Sequence, residues 1–324
     1  MSEHDEHPHP VGDDPAWSES YYFNFVDPDT KIGMFTRMGF RANDGWADGL
    51  HVVYLGGDRI AFTYARRKID KTDQDLTVGG LSLKMNAAHK NWQIAYDGPA
   101  QDIADGAILV TPSKERPEGW FTPATLKMQI DFETLTAPHY AGSGRTGHFE
   151  QTGRATGQIE IGGDVFDVSG YGVRDKSWGP RSWTAREMGG NTKSPAAATE
   201  PSPFVTWFSI NFGDTAAIGC SCFLTDGVMR GEGWIHKHGK LEDLNDIVIE
   251  STYQPTGILH ETLRMTAVTA AGEKIVIDGN VLTICPTKIP MKNGATFVNE
   301  GLAEFTMGDL KGHGIAEYWH MVTR

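Results

Sequence analysis

The chain has 324 residues, and its 29 Lys and Arg against 42 Asp and Glu leave a net charge of −13. That acidity argues against nucleic acid and anionic membrane surfaces as partners, because both select a basic face. No apolar run approaches the ~20 residues of a membrane-spanning helix, and with 39% apolar residues the chain is long enough for a sizeable core and two domains.

The first 14 residues carry His4, His7 and His9 among several acids and no apolar stretch. They read as a flexible tail rather than a secretory signal, which places the protein in the cytoplasm. The tail histidines could chelate a metal adventitiously. Helical periodicity is hard to find after the tail, while short alternating runs recur at 50–55, 59–65, 126–132, 157–161 and 165–169. Turn signals separate them: Gly56-Gly57-Asp58 and Gly162-Gly163-Asp164. Residues 188–203 hold Gly, Pro, Ser, Thr and Ala with little to bury and read as a linker. Beyond it come further strands at 205–212, 216–224, 247–253, 259–268, 274–282 and 316–322, with turns at Asp226-Gly227 and Ala271-Gly272. The pattern predicts a mostly β protein of antiparallel hairpins, with a β-domain over 15–187, a linker over 188–203 and a second β-domain over 204–324. A ligand cleft is expected in a barrel mouth or between the lobes. Cys220 and Cys222, two apart on a strand, share a face, and with Cys285 they read as buried thiols of a reducing compartment.

Chemistry concentrates in two segments. Gly170-Tyr171-Gly172-Val173-Arg174-Asp175-Lys176-Ser177-Trp178-Gly179-Pro180-Arg181 packs aromatics, arginines, a carboxylate and glycines together. The glycines allow close backbone approach and an arginine such as Arg174 can hold a carboxylate, although a structural corner of ion pairs fits as well. In Gly147-His148-Phe149-Glu150-Gln151, an extended backbone turns His148 and Glu150 to one side, and the following hairpin could return that side to Asp175. His148, Glu150, Asp175 and Tyr171 would then form a set able to give and take protons. The alternative is a satisfied core histidine and a salt-bridging glutamate. In Glu317-Tyr318-Trp319-His320, Tyr318 and His320 share a face of the last strand and either line a pocket or close a barrel core. His236-Lys237-His238 lacks a third ligand at a recognisable spacing, so no metal site is expected. Nucleophile elbows, phosphate loops and dinucleotide glycine patterns are absent.

The central segment resembles the G-x-R-D-H-S-W-G-x-R signature of the carotenoid 1,2-hydratase/AttH-like superfamily, and the chain is also similar to kievitone hydratase. The opening Trp17-Ser18-Glu19-Ser20-Tyr21-Tyr22-Phe23, the His148 segment and the closing Glu317–His320 run are similar to that group too, so the resemblance spans the chain from residue 15. Lys176 stands where many relatives carry histidine. The resemblance implies two lipocalin-like β-domains and relatives that work without cofactors: hydratases of isolated prenyl double bonds and fungal pericyclic cyclases. It implies a histidine and a carboxylate in the order of His148 and Asp175, and a tyrosine at Tyr171.

The expected function is a cofactor-independent hydratase, dehydratase or isomerase of a hydrophobic terpenoid, steroid-like or aromatic substrate, with no nucleic acid or membrane partner and a homodimer allowed. Asp175 is expected as general acid/base, His148 as its partner, Tyr171 as hydrogen-bond donor and Glu150 as the second carboxylate. Trp178, Arg174, Tyr318 and His320 are expected to contact substrate. Inward-pointing arginines would lower the Asp175 pKa, so either they face away, or Asp175 is an ionised orienter with Glu150 or His148 as the acid. The other readings are a non-catalytic carrier of an apolar molecule and a cyclase steering by pocket shape.

Overall fold

The computed structural model describes residues 3–141, 146–181, 203–225, 228–255, 257–292 and 294–323. Apart from Pro203, the expected linker lies outside the described residues, as does the Asp226-Gly227 turn. The described chain is almost entirely antiparallel strand, as the alternating runs predict, and divides into two compact units. One comprises Met1–Ala104 and Gly119–Arg181, the other Asp105–Glu118 and Ser182–Arg324.

The first unit contains β1 (Trp17–Val26), β2 (Gly33–Arg41), β3 (Trp46–Tyr54), β4 (Ile60–Lys68), β5 (Thr77–Val78), β6 (Leu81–Ala87), β7 (Asn91–Ile103), β8 (Thr122–Thr134), β9 (His139–Tyr140), β10 (Gly147–Ile161) and β11 (Asp164–Pro180). They form one sheet in the order β4-β3-β2-β1-β11-β10-β8-β7-β6-β5, with β9 on β10. The sheet curls back on itself where Ile60, Ala61 and Phe62 of β4 pair with Ile103, Asp102 and Gln101 of β7. Phe23, Met34, Trp92, Ile94, Ile130 and Phe132 fill its interior.

The hairpin that carries the candidate site follows from its turn. Ile161 pairs with Asp164, leaving Gly162 and Gly163 as the two loop residues, at φ of 59° and 98°. A two-residue loop with both φ positive matches the right-handed twist of the strands it joins, and glycine reaches that conformation without steric cost.

Residues 3–14, expected as a flexible tail, instead pack into this unit. A 3₁₀ turn over Glu3–Glu6 buries Glu6, and His9 is buried as well. The carboxylate of Glu6 is the counter-ion of Arg174, which has no access to water. An acid 168 positions away is what allows that guanidinium to be buried.

In the second unit the 3₁₀ turn Gly106–Val110 starts at Asp105, whose side chain accepts a hydrogen bond from the Ala107 amide at 2.9 Å. The domain bounds read from the sequence put residues 105–118 in the N-terminal lobe, but they group here, and the turn Gly106–Val110 packs on a strand of this unit's barrel. That barrel is closed and has eight strands: β12 (Val205–Asn211), β13 (Ala216–Thr225), β14 (Val228–Lys237), β15 (Lys240–Tyr253), β16 (His260–Thr269), β17 (Lys274–Met291), β18 (Gly294–Met307) and β19 (Leu310–Thr323). Each pairs with the next, and β12 returns to β19. Cys220 and Cys222 both join the interior with Phe208, Met265 and Phe305, and all three cysteines are buried outside any disulfide. Burial raises the pKa of Cys222 and Cys285, so both stay thiols at neutral pH.

Candidate active site

β10 and β11 run antiparallel in unbroken register, placing His148 opposite Ser177 and Glu150 opposite Asp175. Side chains alternate between the faces of a strand, so His148, Glu150 and Asp175 share one face and Phe149, Arg174, Lys176 and Trp178 share the other. β11 is held close to β1 by its glycines. A Cβ on Gly172 would lie 1.7 Å from the Asn24 carbonyl oxygen, and one on Gly170 would lie 2.3 Å from that of Val26. The partner those glycines approach is therefore the neighbouring strand.

On the first face, Nε2 of His148 hydrogen-bonds Oδ2 of Asp175 and stands 3.5 Å from Oε1 of Glu150. Side-chain exposures of 28% for His148, 16% for Asp175 and 5% for Glu150 leave the imidazole the most open of the three. Burial disfavours the imidazolium, but the charge and hydrogen bond of Asp175, followed by Glu150, outweigh it and push the His148 pKa up to about 9. At neutral pH the site thus holds a protonated imidazole between two carboxylates. Tyr22 of β1 lies across from Asp175 on this face, next to Phe35 at a ring separation of 6.3 Å.

The other face holds two buried cations. Arg174 pairs with Glu6, whose Oε1 also accepts the His89 amide at 2.6 Å, and its guanidinium lies 5.2 Å from the Trp92 ring and 5.0 Å from Phe149. Lys176 pairs with Glu19 and sits 4.4 Å from the Tyr21 ring. Burial lowers the Lys176 pKa against the attraction of Glu19. Burial alone would raise the Glu19 pKa, but Lys176 and His9 together bring it below the ordinary glutamate value. His9 donates its backbone amide to Glu19 and sets Nδ1 2.9 Å from Oε1, while its ring stacks on Trp178 at 4.1 Å.

The structure therefore brings together three of the expected catalytic residues, His148, Glu150 and Asp175, and separates the others. Tyr171 is on the face of Asp175 but four residues earlier, about 13 Å along a strand, and its hydroxyl accepts a hydrogen bond from Arg154 at 2.9 Å. Arg174 and Trp178, expected to contact substrate beside Asp175, point to the opposite face, because odd and even positions of a strand diverge. Arg174 is thus turned away from Asp175 to its partner Glu6, while Arg181 just past the strand's end donates to Ser177 Oγ at 3.3 Å. Tyr318 and His320 share a face in the second unit, where Tyr318 stacks on His260 at 4.0 Å and bonds Ser251 Oγ at 2.6 Å. Glu6, His9 and His89 were not singled out as site residues from the sequence, and nothing local marks them. Glu19 carried a signal, an acid in an aromatic strand, but its partner is 157 positions away.

One ligand atom from each of His148, Glu150 and Asp175 lies within 4.8 Å of the others. One imidazole and two carboxylates make a donor set that suits a divalent cation once the imidazole has lost its proton.

A family model described as "Domain of unknown function (DUF7064)" matches residues 2–322. A search of the curated proteins found no match. Among solved structures, kievitone hydratase from Nectria haematococca aligns with a TM-score of 0.54 at 10% identity, over 93% of this chain and 88% of that one. An AttH-like protein from Nitrosomonas europaea gives 0.57 at 11% identity, over 99% and 96%. CghA, solved with Sch210972, gives 0.55 at 10% identity, over 95% and 89%. At the level of fold, the resemblance to the carotenoid 1,2-hydratase/AttH-like superfamily holds, and with it the two-domain lipocalin-like architecture.

Proposed function

The chain belongs to the DUF7064 family, and we propose that it is a hydro-lyase acting through His148, Glu150 and Asp175 on a hydrophobic substrate without a cofactor. The observation that carries this is His148 set between two carboxyl groups, its Nε2 hydrogen-bonded to Asp175 and 3.5 Å from Glu150. Such a group has an acid and a base side by side at neutral pH.

The roles follow from acidity. An imidazolium with a pKa of about 9 is too weak an acid to protonate an unactivated alkene carbon, but well matched to a departing hydroxyl. In the dehydration direction, a carboxylate removes the C–H proton, the C–O bond breaks, and His148 gives its proton to the leaving oxygen to form water. The new carboxylic acid then returns its proton to His148 across the 3.5 Å separating it from Glu150, which restores the starting charges. Hydration is the same path reversed. Shuttling a proton between two carbons of a substrate with this pair gives the related isomerisation. Asp175 is here the hydrogen-bonded partner that orients His148, and Glu150 the proton-shuttling carboxylate.

An apolar substrate is supported by the Tyr22 ring opposite Asp175 and by the fold shared with a hydratase, kievitone hydratase. Asp175→Asn keeps the shape of the site and removes the charge that holds the proton on His148. Its turnover should fall by about 10²–10⁴, and the alkaline limb of the pH–rate profile should move to lower pH. An Asp175→Asn protein that folds and turns over normally would remove the site from the reaction and favour a carrier or a cyclase governed by pocket shape.

A further inference from the structure

The four side chains that alternate with the site residues along β10 and β11 are Phe149, Arg174, Lys176 and Trp178, and the N-terminal segment stands behind them. Glu6 takes Arg174, whose Nη1 lies 2.8 Å from Oε1. Lys176 pairs with Glu19, and the Glu19 carboxylate accepts the backbone amide of His9 at 2.9 Å. The His9 ring stacks on Trp178 at 4.1 Å. Phe149, between His148 and Glu150, lies 5.0 Å from the Arg174 guanidinium and 5.2 Å from the Tyr140 ring. The Tyr140 hydroxyl in turn donates to Asp5 at 3.0 Å. Asp5, Glu6 and His9 thus reach both strands of the site hairpin from its far face.

Such backing acts on the site through the strand itself. The side chains of Arg174 and Lys176 are 1% and 0% exposed, so each stays at its depth only while an acid answers it. Without Glu6 the guanidinium is driven toward water, and β11 cannot release position 174 without moving position 175, whose Cα is about 3.8 Å away. The bond from His148 to Asp175 tolerates little movement, since hydrogen bonds of this kind hold over only about 2.7–3.2 Å. We propose that the N-terminal segment is a positioning element of the site: Glu6 through Arg174, and His9 through Glu19 and Trp178, hold the β10–β11 hairpin so that His148 meets Asp175. Glu6 and His9 are positioning residues, since both act from the face that the site does not use. This rests on the acid/base reading of His148 and adds what controls it: release of the segment loosens the acid.

The test follows acylation of the histidines by diethyl pyrocarbonate at pH 7, residue by residue, by peptide mass spectrometry. The reagent attacks a neutral imidazole nitrogen, so His148, bonded to Asp175 and with its pKa pushed up to about 9, should react slowly in the parent protein. His238, exposed in the second unit, calibrates the reagent, and His51, fully buried in the first, reacts only when that unit unfolds. In Glu6→Gln, acylation of His148 relative to His238 should speed up about tenfold or more, the effect of one unit off its pKa, while His51 stays protected. If Glu6→Gln does not fold, His9→Gln takes its place. That variant loses the stack on Trp178 but keeps the Glu6–Arg174 pair, and should speed His148 up about threefold, the effect of half a unit. A His148 rate unchanged in the folded variant, or one that rises only together with His51, would overturn the proposal and leave the segment a stabiliser alone. A His148 as reactive as His238 in the parent protein would overturn the acid/base reading with it, so the two failures are told apart.

Discussion

Replacing Glu6 by glutamine isolates what the N-terminal segment contributes. The pair it forms with Arg174 has side-chain exposures of 0% and 1%, so neither charge can be solvated if the other is removed. Breaking such a pair from one side costs about 3–5 kcal/mol, whereas replacing both partners by neutral groups is often close to neutral. Glutamine keeps an oxygen for the His89 amide, so the loss reports the missing charge rather than the missing acceptor. For a unit of this size about 3 kcal/mol lowers the midpoint by roughly 6–12 °C. The assay is a double-mutant cycle with Glu6→Gln, Arg174→Met and both together, followed by tryptophan fluorescence in urea, because Trp92 lies beside the guanidinium. Each single change should lower stability by about 3–5 kcal/mol and the double change by much less. Deleting residues 1–11 should cost as much as Glu6→Gln or more. A Glu6→Gln cost below about 1 kcal/mol, or strict additivity in the cycle, would refute the burial argument and restore the picture of a loose tail.

Three further outcomes follow from the same geometry. The His148 pKa of about 9 in the folded chain exceeds the unfolded value of about 6.5. Its stabilisation is therefore complete below pH 6.5 and is lost as pH rises through 9, up to about 3 kcal/mol. Urea unfolding from pH 6 to 10 reads this loss, and His148→Gln should flatten it. Lys176→Met strands Glu19 in the interior and should destabilise by several kcal/mol, with Glu19→Gln in the same chain recovering most of it in thermal unfolding. Because His148 must lose its proton to ligate a metal, calorimetric titration with Zn²⁺ should show weak, proton-releasing binding that strengthens towards pH 9 and disappears in His148→Gln. Tight binding at pH 7 through these three residues would contradict the acid/base reading.

How much of this could be read in the sequence depended on the range of the forces involved. The β10–β11 hairpin is local: two glycines set its turn, strand alternation sets its faces, and His148, Glu150 and Asp175 follow from spacing alone. The same alternation, applied further, separates Trp178 and Arg174 from Asp175, a consequence that grouping them by motif had obscured. β1 was harder to recognise as a core strand, because it is buried at every position and shows no solvent-facing alternation. The N-terminal segment was illegible for a different reason. An acidic, histidine-rich stretch has every local mark of a tail, and only the two cations 168 and 157 positions from their acids explain why it and Glu19 are drawn in. Lys176 is held in the same way, as a buried lysine whose charge Glu19 answers.

The central claim is that His148 and its carboxylates move protons on a hydrophobic substrate. The most direct measurement is native mass spectrometry of the parent protein and of His148→Gln, each mixed with a panel of terpenoid alcohols, steroids and phenylpropanoids. The account predicts that one class gains or loses a molecule of water with the parent protein and is bound but unchanged by His148→Gln. Ligands recovered chemically unchanged from the parent protein, or equal conversion by both, would contradict it.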